Sequence, residues 1–282
     1  MDFCQPLGND PPFWGISLLE LPQFFNVTAL TVEACAWPWL EHDVLPCWSG
    51  FYHVPYLTSF HSPNLSLLET WLQQARRSHR TTLMMSTGGG SVGNNPNIRR
   101  SIRNECENNT KANNATLNNN LGRFRSGGAE YTKLCDILDC SHGICEHDPI
   151  RFMRPMLQAS FCLQPPGDTP TRRSTFDSIV ADCIPYGWHL QDDQYGEFSV
   201  FIPKEDVVFK ETRVLDVLRS IPRARVRRMR EKVLEMIPRV MYRRHGSSMG
   251  LRAKKDAFDL AIDGVLNKIK SRVLVQPRVF PQ

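Results

Sequence analysis

Residues 161–185 read FCLQPPGDTPTRRSTFDSIVADCIP. The apolar run at 159–164 (ASFCLQ) has the length and composition of a buried strand. Pro165, Pro166, Gly167 and Asp168 then supply turn chemistry. Phe176, Ile179 and Val180 recur at helical spacing, which predicts a helix over 171–181. Residues 182–185 (DCIP) and 199–202 (SVFI) read as two further short strands. Strand, turn, helix and strand in close succession form a βαβ unit, so a parallel sheet is expected.

The same stretch carries the charge pattern of interest. Arg172 and Arg173 fall in the first turn of the expected helix. Cations there oppose the helix dipole unless an anion is bound. A helix N-terminus with two guanidinium groups suits a diphosphate; the competing reading is a solvated charged turn. Asp177, four residues after Arg173, has the chemistry to accept hydroxyls of a ribose or sugar. Its plainer alternative is an i,i+4 pair with Arg173, worth roughly 0.2–0.5 kcal/mol.

Working outward, residues 81–86 (TTLMMS) read as a buried strand that runs into Gly88, Gly89 and Gly90. A glycine loop after a strand can cradle phosphate. No Lys follows and no helix begins at the right distance, so a plain flexible turn is favoured. Leu65, Leu68, Trp71, Leu72 and Ala75 mark a helix over 64–79. Between Asn104 and Asn120 there are eight asparagines, a composition expected to form an exposed loop. In the C-terminal third, Val226, Met229, Val233, Ile237, Val240 and Met241 form one amphipathic stripe. Phe258, Ala261, Ile262, Val265, Ile269 and Val273 form another. Pro238 should kink or end the first helix. Trp14, Trp37, Trp39 and Trp48 crowd the N-terminal region and read as core rather than as sugar platforms.

The whole chain has 282 residues, net charge +5, 41% hydrophobic and 22% charged residues. Those values exclude collagen-like, wholly disordered and small disulfide-scaffold classes. No apolar run approaches the length of a membrane span, and residues 1–10 lack a basic, then apolar, leader. Nine cysteines and four Asn-x-Ser/Thr acceptors (Asn26, Asn64, Asn108, Asn114) favour an oxidising lumen. Such a lumen and the missing leader point to an N-terminally truncated form. Six cysteines lie between Cys106 and Cys183. Disulfides are the leading reading, ahead of free thiols and a zinc site, because the spacing with His142 and His147 fits no standard zinc knuckle.

Residues 161–168, 171–174, 176–178 and 183–185, then 188–190 (WHL) and 199–203 (SVFIP), match a specific pattern. They resemble the plant exostosin-like glycosyltransferases, in the xyloglucan galactosyltransferase branch. Residues 226–242, 256–269, 24–30 and 54–63 are similar to that family too, so the likeness covers most of the chain. It implies an α/β fold of GT-B type, with a Rossmann-like nucleotide-sugar domain followed by C-terminal amphipathic helices. It implies transfer of galactose from UDP-galactose to a cell-wall polysaccharide in the Golgi, with inversion and without a bound metal or other cofactor. Gln164, Gly167 and Asp168 would shape the donor loop. Arg172, Arg173 and Ser174 would meet the diphosphate, and Asp177 the ribose or sugar. Other Golgi glycosyltransferases are the implied protein partners.

The expected organisation is a remnant of the acceptor-side domain at 1–103, an Asn-rich loop at 104–128 and the nucleotide-sugar domain at 129–275. The first GT-B domain is expected to be incomplete. The chain departs from the family pattern in two further places. Only Tyr186 and Gly187 separate Pro185 from Trp188, where the family carries a longer cleft segment. Asp182 stands where glycine is usual, and a glycine needed for close approach does not tolerate Asp. No residue is assigned as the base for the acceptor hydroxyl. Two alternatives stand beside the enzyme. One is a non-catalytic remnant that binds a nucleotide sugar or a partner glycosyltransferase. The other is a nucleic-acid module, prompted by 13 Lys or Arg against two Glu over 219–255, whose plainer reading is a solvated helix face.

Overall fold

The structure is a computed structural model, and it describes residues 28–31, 51–88, 97–116, 124–126, 129–140, 145, 149–165, 172–186, 196–244, 246–247, 249 and 255–275. Its chain contacts fall into two compact units, residues 1–55 with 255–282 and residues 56–254. The boundaries expected at 103/104 and 128/129 both fall inside the second unit.

The second unit is built on a parallel sheet. Strand β3 (Thr82–Gly88) pairs with β6 (Lys133–Asp139) on one side and β7 (Ala159–Leu163) on the other. Strand β8 (Ile184–Tyr186) extends the sheet beyond β7. All five residues of β7 are buried, as an apolar run covered on both faces requires. The crossovers are helical: α2 (Ile98–Thr116) between β3 and β6, α3 (Pro149–Gln158) between β6 and β7, and α4 (Arg173–Val180) between β7 and β8. The expected βαβ unit is therefore present. Residues 199–202 differ from expectation: only Val200 makes a bridge, its N–H reaching Pro185 O at 3.4 Å. Two strands, β4 (Phe124–Ser126) and β5 (Ala129–Tyr131), form a small antiparallel ribbon.

The Asn-rich stretch corrects the sequence reading. It is helical as far as Thr116 rather than a loop. Asn97 caps α2 by accepting from Arg100 N at 2.9 Å. Ile102 and Cys106 are buried, and Cys106 is bridged to Cys135. Glu105 accepts from Val214 N and Leu215 N at 3.0 and 2.9 Å, at the start of α6 (Val214–Ser220). Composition alone misses these anchors, which fix a helix that the run of asparagines does not favour.

Helix α1 (Leu65–Arg77) is capped by Asn64, which accepts from Leu67 N at 2.9 Å. Helix α5 (Lys204–Phe209) precedes α6, and α7 (Arg223–Val240) follows it. Met229, Val233, Ile237 and Val240 of α7 are buried, as their stripe predicts, while Arg225, Arg227, Arg228 and Arg239 are exposed. Pro238 sits in the last turn of α7, which ends two residues later.

In the first unit, β1 (Ala29–Thr31) pairs in parallel with β2 (Phe51–His53). Helix α8 (Ala257–Val275) opens with a reciprocal cap: Asp259 N donates to Asp256 Oδ1 at 3.0 Å and Asp256 N to Asp259 Oδ2 at 3.2 Å. A Cβ on Gly264 would fall 1.6 Å from the Tyr52 hydroxyl, so this close approach admits only glycine. The second amphipathic stripe behaves differently from the first. Ala261 is buried, but Phe258, Ile262 and Ile269 are exposed. Trp14, Trp37, Trp39 and Trp48 lie outside the described residues.

Among the described residues, three disulfides join Cys106 to Cys135, Cys140 to Cys145 and Cys162 to Cys183. These are the six clustered cysteines. Among the described residues no group of three or more His, Cys, Asp or Glu is arranged to hold a metal ion, and no helix is long and apolar enough to cross a membrane.

Candidate functional site

Sheet order β6-β3-β7-β8 sends the chain from β3 to one side and then back to the other. The crossovers on the two sides diverge between β3 and β7. Open parallel sheets bind ligands in the crevice at the carboxyl ends of strands at such a switch point. Here the two strand ends are Gly88 and Leu163, and the chain continues from Leu163 through Gln164 and Pro165.

Arg172 lies at this place. Its Nη1 donates to Pro165 O at 2.8 Å, and its Nη2 is 3.8 Å from where a Gly88 Cβ would stand. The guanidinium thus spans the ends of β7 and β3. Of the glycine run expected as a plain turn, Gly88 ends β3 beside Arg172, while Gly89 and Gly90 lie outside the described residues.

Arg172 is the N-cap of α4 and Arg173 its first residue, and neither the cap side chain nor any acidic residue satisfies that first turn. The N–H groups of a helix start and two guanidiniums therefore concentrate positive potential there. Arg173 is more than half exposed. Its Nη2 donates to Ser59 Oγ at 2.8 Å, and its Nε lies 3.8 Å from Asp177 Oδ2.

Other residues expected at the site face inward. Gln164 is buried and clamps β7 to α4: its Oε1 accepts from Ser174 Oγ, and its Nε2 donates to Ser178 Oγ at 3.1 Å. Asp177 is buried too. Its Oδ1 accepts from Ser59 N at 2.6 Å and its Oδ2 from Ser59 Oγ at 3.0 Å. Burial pushes its carboxyl above the ordinary range, opposed by the Ser59 hydrogen bonds and by Arg173. Both oxygens are already occupied within the protein. The structure thus brings Gln164, Arg172, Arg173, Ser174 and Asp177 together at one end of the sheet. Gly167 and Asp168 lie outside the described residues.

Ser59 was missed as a site residue. It sits in the matched stretch 54–63, but nothing in VPYLTSFHSP marks one serine as a partner of Asp177, 118 residues away. The segment is held around it by Tyr56 against Phe176 (centroids 6.2 Å apart), by Phe60 stacked on Trp71 (4.6 Å) and by His61 Nδ1 at 3.0 Å from Tyr242 O. Trp71 in turn donates to Val180 O at 2.7 Å.

Asp182 also departs from expectation. It takes φ +51° directly after α4, the left-handed conformation that glycine usually supplies. Asp tolerates it better than most residues. Its buried Oδ2 accepts from Arg80 Nη2 at 2.8 Å and from Arg230 Nε at 3.1 Å and Nη2. Arg80 further donates to the carbonyls of Met156 and Ala159 at 2.9 and 3.0 Å. Desolvation lowers the Arg80 guanidinium to about 10, against the pull of Asp182. The substitution creates a buried ionic hub rather than a clash.

Comparison with known proteins agrees with this architecture. Residues 13–218 match the exostosin GT47 domain. The chain is 57% identical over 283 residues to the probable xyloglucan galactosyltransferase GT19 of Arabidopsis thaliana, covering 96% of this chain and 59% of that protein. It is 33% identical to xyloglucan galactosyltransferase MUR3 of the same plant, covering 93% of this chain and 39% of that one. A xyloglucan-specific galacturonosyltransferase, also from Arabidopsis thaliana, is 30% identical over 92% of this chain and 36% of its own length. The chain thus spans well under two thirds of these relatives. A family match over residues 13–218, joined to a parallel sheet with its arginine pair at the switch point, places the chain in the exostosin GT47 family of glycosyltransferases.

Proposed function

We propose that this chain carries the donor side of a GT-B glycosyltransferase that moves galactose from UDP-galactose to a xyloglucan-type cell-wall polysaccharide. The observation that carries the reading is Arg172 at the β3/β7 switch point, beside Gly88 and at the start of α4. The relatives' names supply the sugar and the acceptor class. Unit 56–254 is the proposed nucleotide-sugar domain, and residues 1–55 with 255–282 are assigned to the acceptor side. Golgi residence is proposed with it, supported by three disulfides that persist in an oxidising lumen.

The proposed chemistry is an inverting displacement. The acceptor hydroxyl gives up its proton to a base and attacks the anomeric carbon as the bond to the diphosphate breaks, so negative charge grows on UDP. Arg172, Arg173 and the N–H groups opening α4 meet that charge in a fixed arrangement. In this reading no divalent metal is resident, and the two arginines supply the positive charge. Gln164 and Ser174 hold the β7–α4 corner rigid, which keeps the donors aimed.

The test supplies UDP-galactose and a xyloglucan oligosaccharide to the full chain and follows UDP release and the anomeric form of the product. A β-linked galactosyl product whose formation Arg172→Ala suppresses supports the reading. Transfer with retention, or release of UDP unchanged by Arg172→Ala, contradicts it.

A further inference from the structure

Arg173 is held by a contact from far along the chain. Its Nη2 donates to the Ser59 hydroxyl oxygen at 2.8 Å, and that hydroxyl lies 3.0 Å from Asp177 Oδ2. A serine hydroxyl has one proton and two lone pairs. The ionised carboxylate only accepts, so the proton goes to Asp177 and a lone pair faces Arg173. The relay has one direction: Arg173 donates to Ser59 and Ser59 donates to Asp177. Asp177 alone does not orient the guanidinium, because Arg173 Nε stands 3.8 Å from its Oδ2, beyond hydrogen-bond reach.

Ser59 is itself immobilised. Its backbone N–H is fixed on Asp177 Oδ1 at 2.6 Å, and its neighbours Phe60 and His61 are anchored on Trp71 and on the Tyr242 carbonyl. An arginine this exposed samples many rotamers, and ordering it on binding weakens affinity. A guanidinium has five N–H donors in a fixed fork. One donor engaged on Ser59 leaves others for phosphate oxygens.

We propose that Ser59 is a positioning residue for the diphosphate: through its hydroxyl it presets Arg173 at the start of α4, with Asp177 as the buried anchor of the relay. The role rests on the donor-site reading above and deepens it.

The test titrates the full chain with UDP and with uridine, which lacks the phosphates, and reads the ratio of the two affinities. Ser59→Ala is expected to weaken UDP roughly 3- to 10-fold, the scale of ordering one long side chain, and to leave uridine unchanged. Ser59→Thr, which keeps the hydroxyl, restores the ratio. In an Arg173→Ala background, Ser59→Ala has no further effect. Ser59→Gly retains the backbone bond to Asp177 and stands in if the alanine variant does not fold. An unchanged ratio in the Ser59 variants, with UDP affinity still lowered by Arg172→Ala and Arg173→Ala, overturns the positioning role alone. The same loss from Ser59→Ala with and without Arg173 also overturns it. No UDP binding by the unaltered chain, or binding indifferent to Arg172→Ala, overturns the donor reading and the positioning role with it.

Discussion

Helix α4 has two arginines and an aspartate at each end, and the two ends use them in opposite ways. At its C-terminal end Arg80 and Arg230 converge on Asp182, whose side chain is 0% exposed, with Arg80 at 6%. At its N-terminal end Arg172 and Arg173 do not share a carboxylate. One reaches Pro165 O beside Gly88, and the other, 58% exposed, leans on Ser59. Residue type is the same and burial differs. A buried ion cluster neutralises its charges and fixes packing, even with Asp182 Oδ1 and Arg80 Nε left without hydrogen-bond partners, whereas the exposed Arg173 guanidinium at a helix start keeps its charge at the surface. The C-terminal end is therefore read as scaffold and the N-terminal end as site.

That contrast breaks most readily at the scaffold end. Asp182→Ala leaves two arginines without their shared carboxylate and is expected to cost about 3–5 kcal/mol of stability, seen as a lower urea midpoint. Asp182→Gly sharpens the point. It relieves the φ of +51° yet removes the same carboxylate, so it too is expected to destabilise. A glycine variant as stable as the parent would mean that backbone freedom outweighs the ionic hub. Opening the Cys162–Cys183 bridge with Cys162→Ser removes a link of 21 residues beside the hub, worth about 3 kcal/mol by loop closure. Thermal unfolding of the non-reduced variant checks this.

Changes at the site end are expected to be smaller and to appear in binding. Arg172→Ala should weaken UDP roughly 10- to 100-fold, the scale of losing a charge-assisted hydrogen bond, with a stability change under about 1 kcal/mol. The least effect concerns Asp177. Burial raises its folded pKa above the unfolded value, so between the two the fold binds more protons than the unfolded chain. Its contribution to stability therefore falls as pH rises through the window just above the ordinary carboxylate range. Denaturant titrations across that window should lose this component in Asp177→Asn.

The sequence stretch 161–185 announced the strand, the helix and the arginine pair because periodicity and turn chemistry are local signals. The β7 strand, α4, and the buried stripe of α7 are all legible this way. Non-local bonds were not. Helix α2 over the Asn-rich stretch depends on Cys106 meeting Cys135 and on Glu105 meeting α6. Strand β6 and helix α3 also went unread, the latter containing Pro155, which argues against a helix locally. At the site, the engagement of Asp177 was not legible, because its partner Ser59 lies in a distant segment. Asp182 looked like a fault by comparison with glycine. Only the meeting of Arg80 and Arg230 shows why an acid suits that place.

The whole reading turns on whether the start of α4 binds a nucleotide diphosphate. Calorimetric titration of the full chain with UDP, beside its Arg172→Ala variant, tests it most directly. Saturable binding by the parent is expected, with a loss of roughly one to two orders of magnitude in the variant and little change in thermal stability. Equal affinity in the two folded proteins would contradict it.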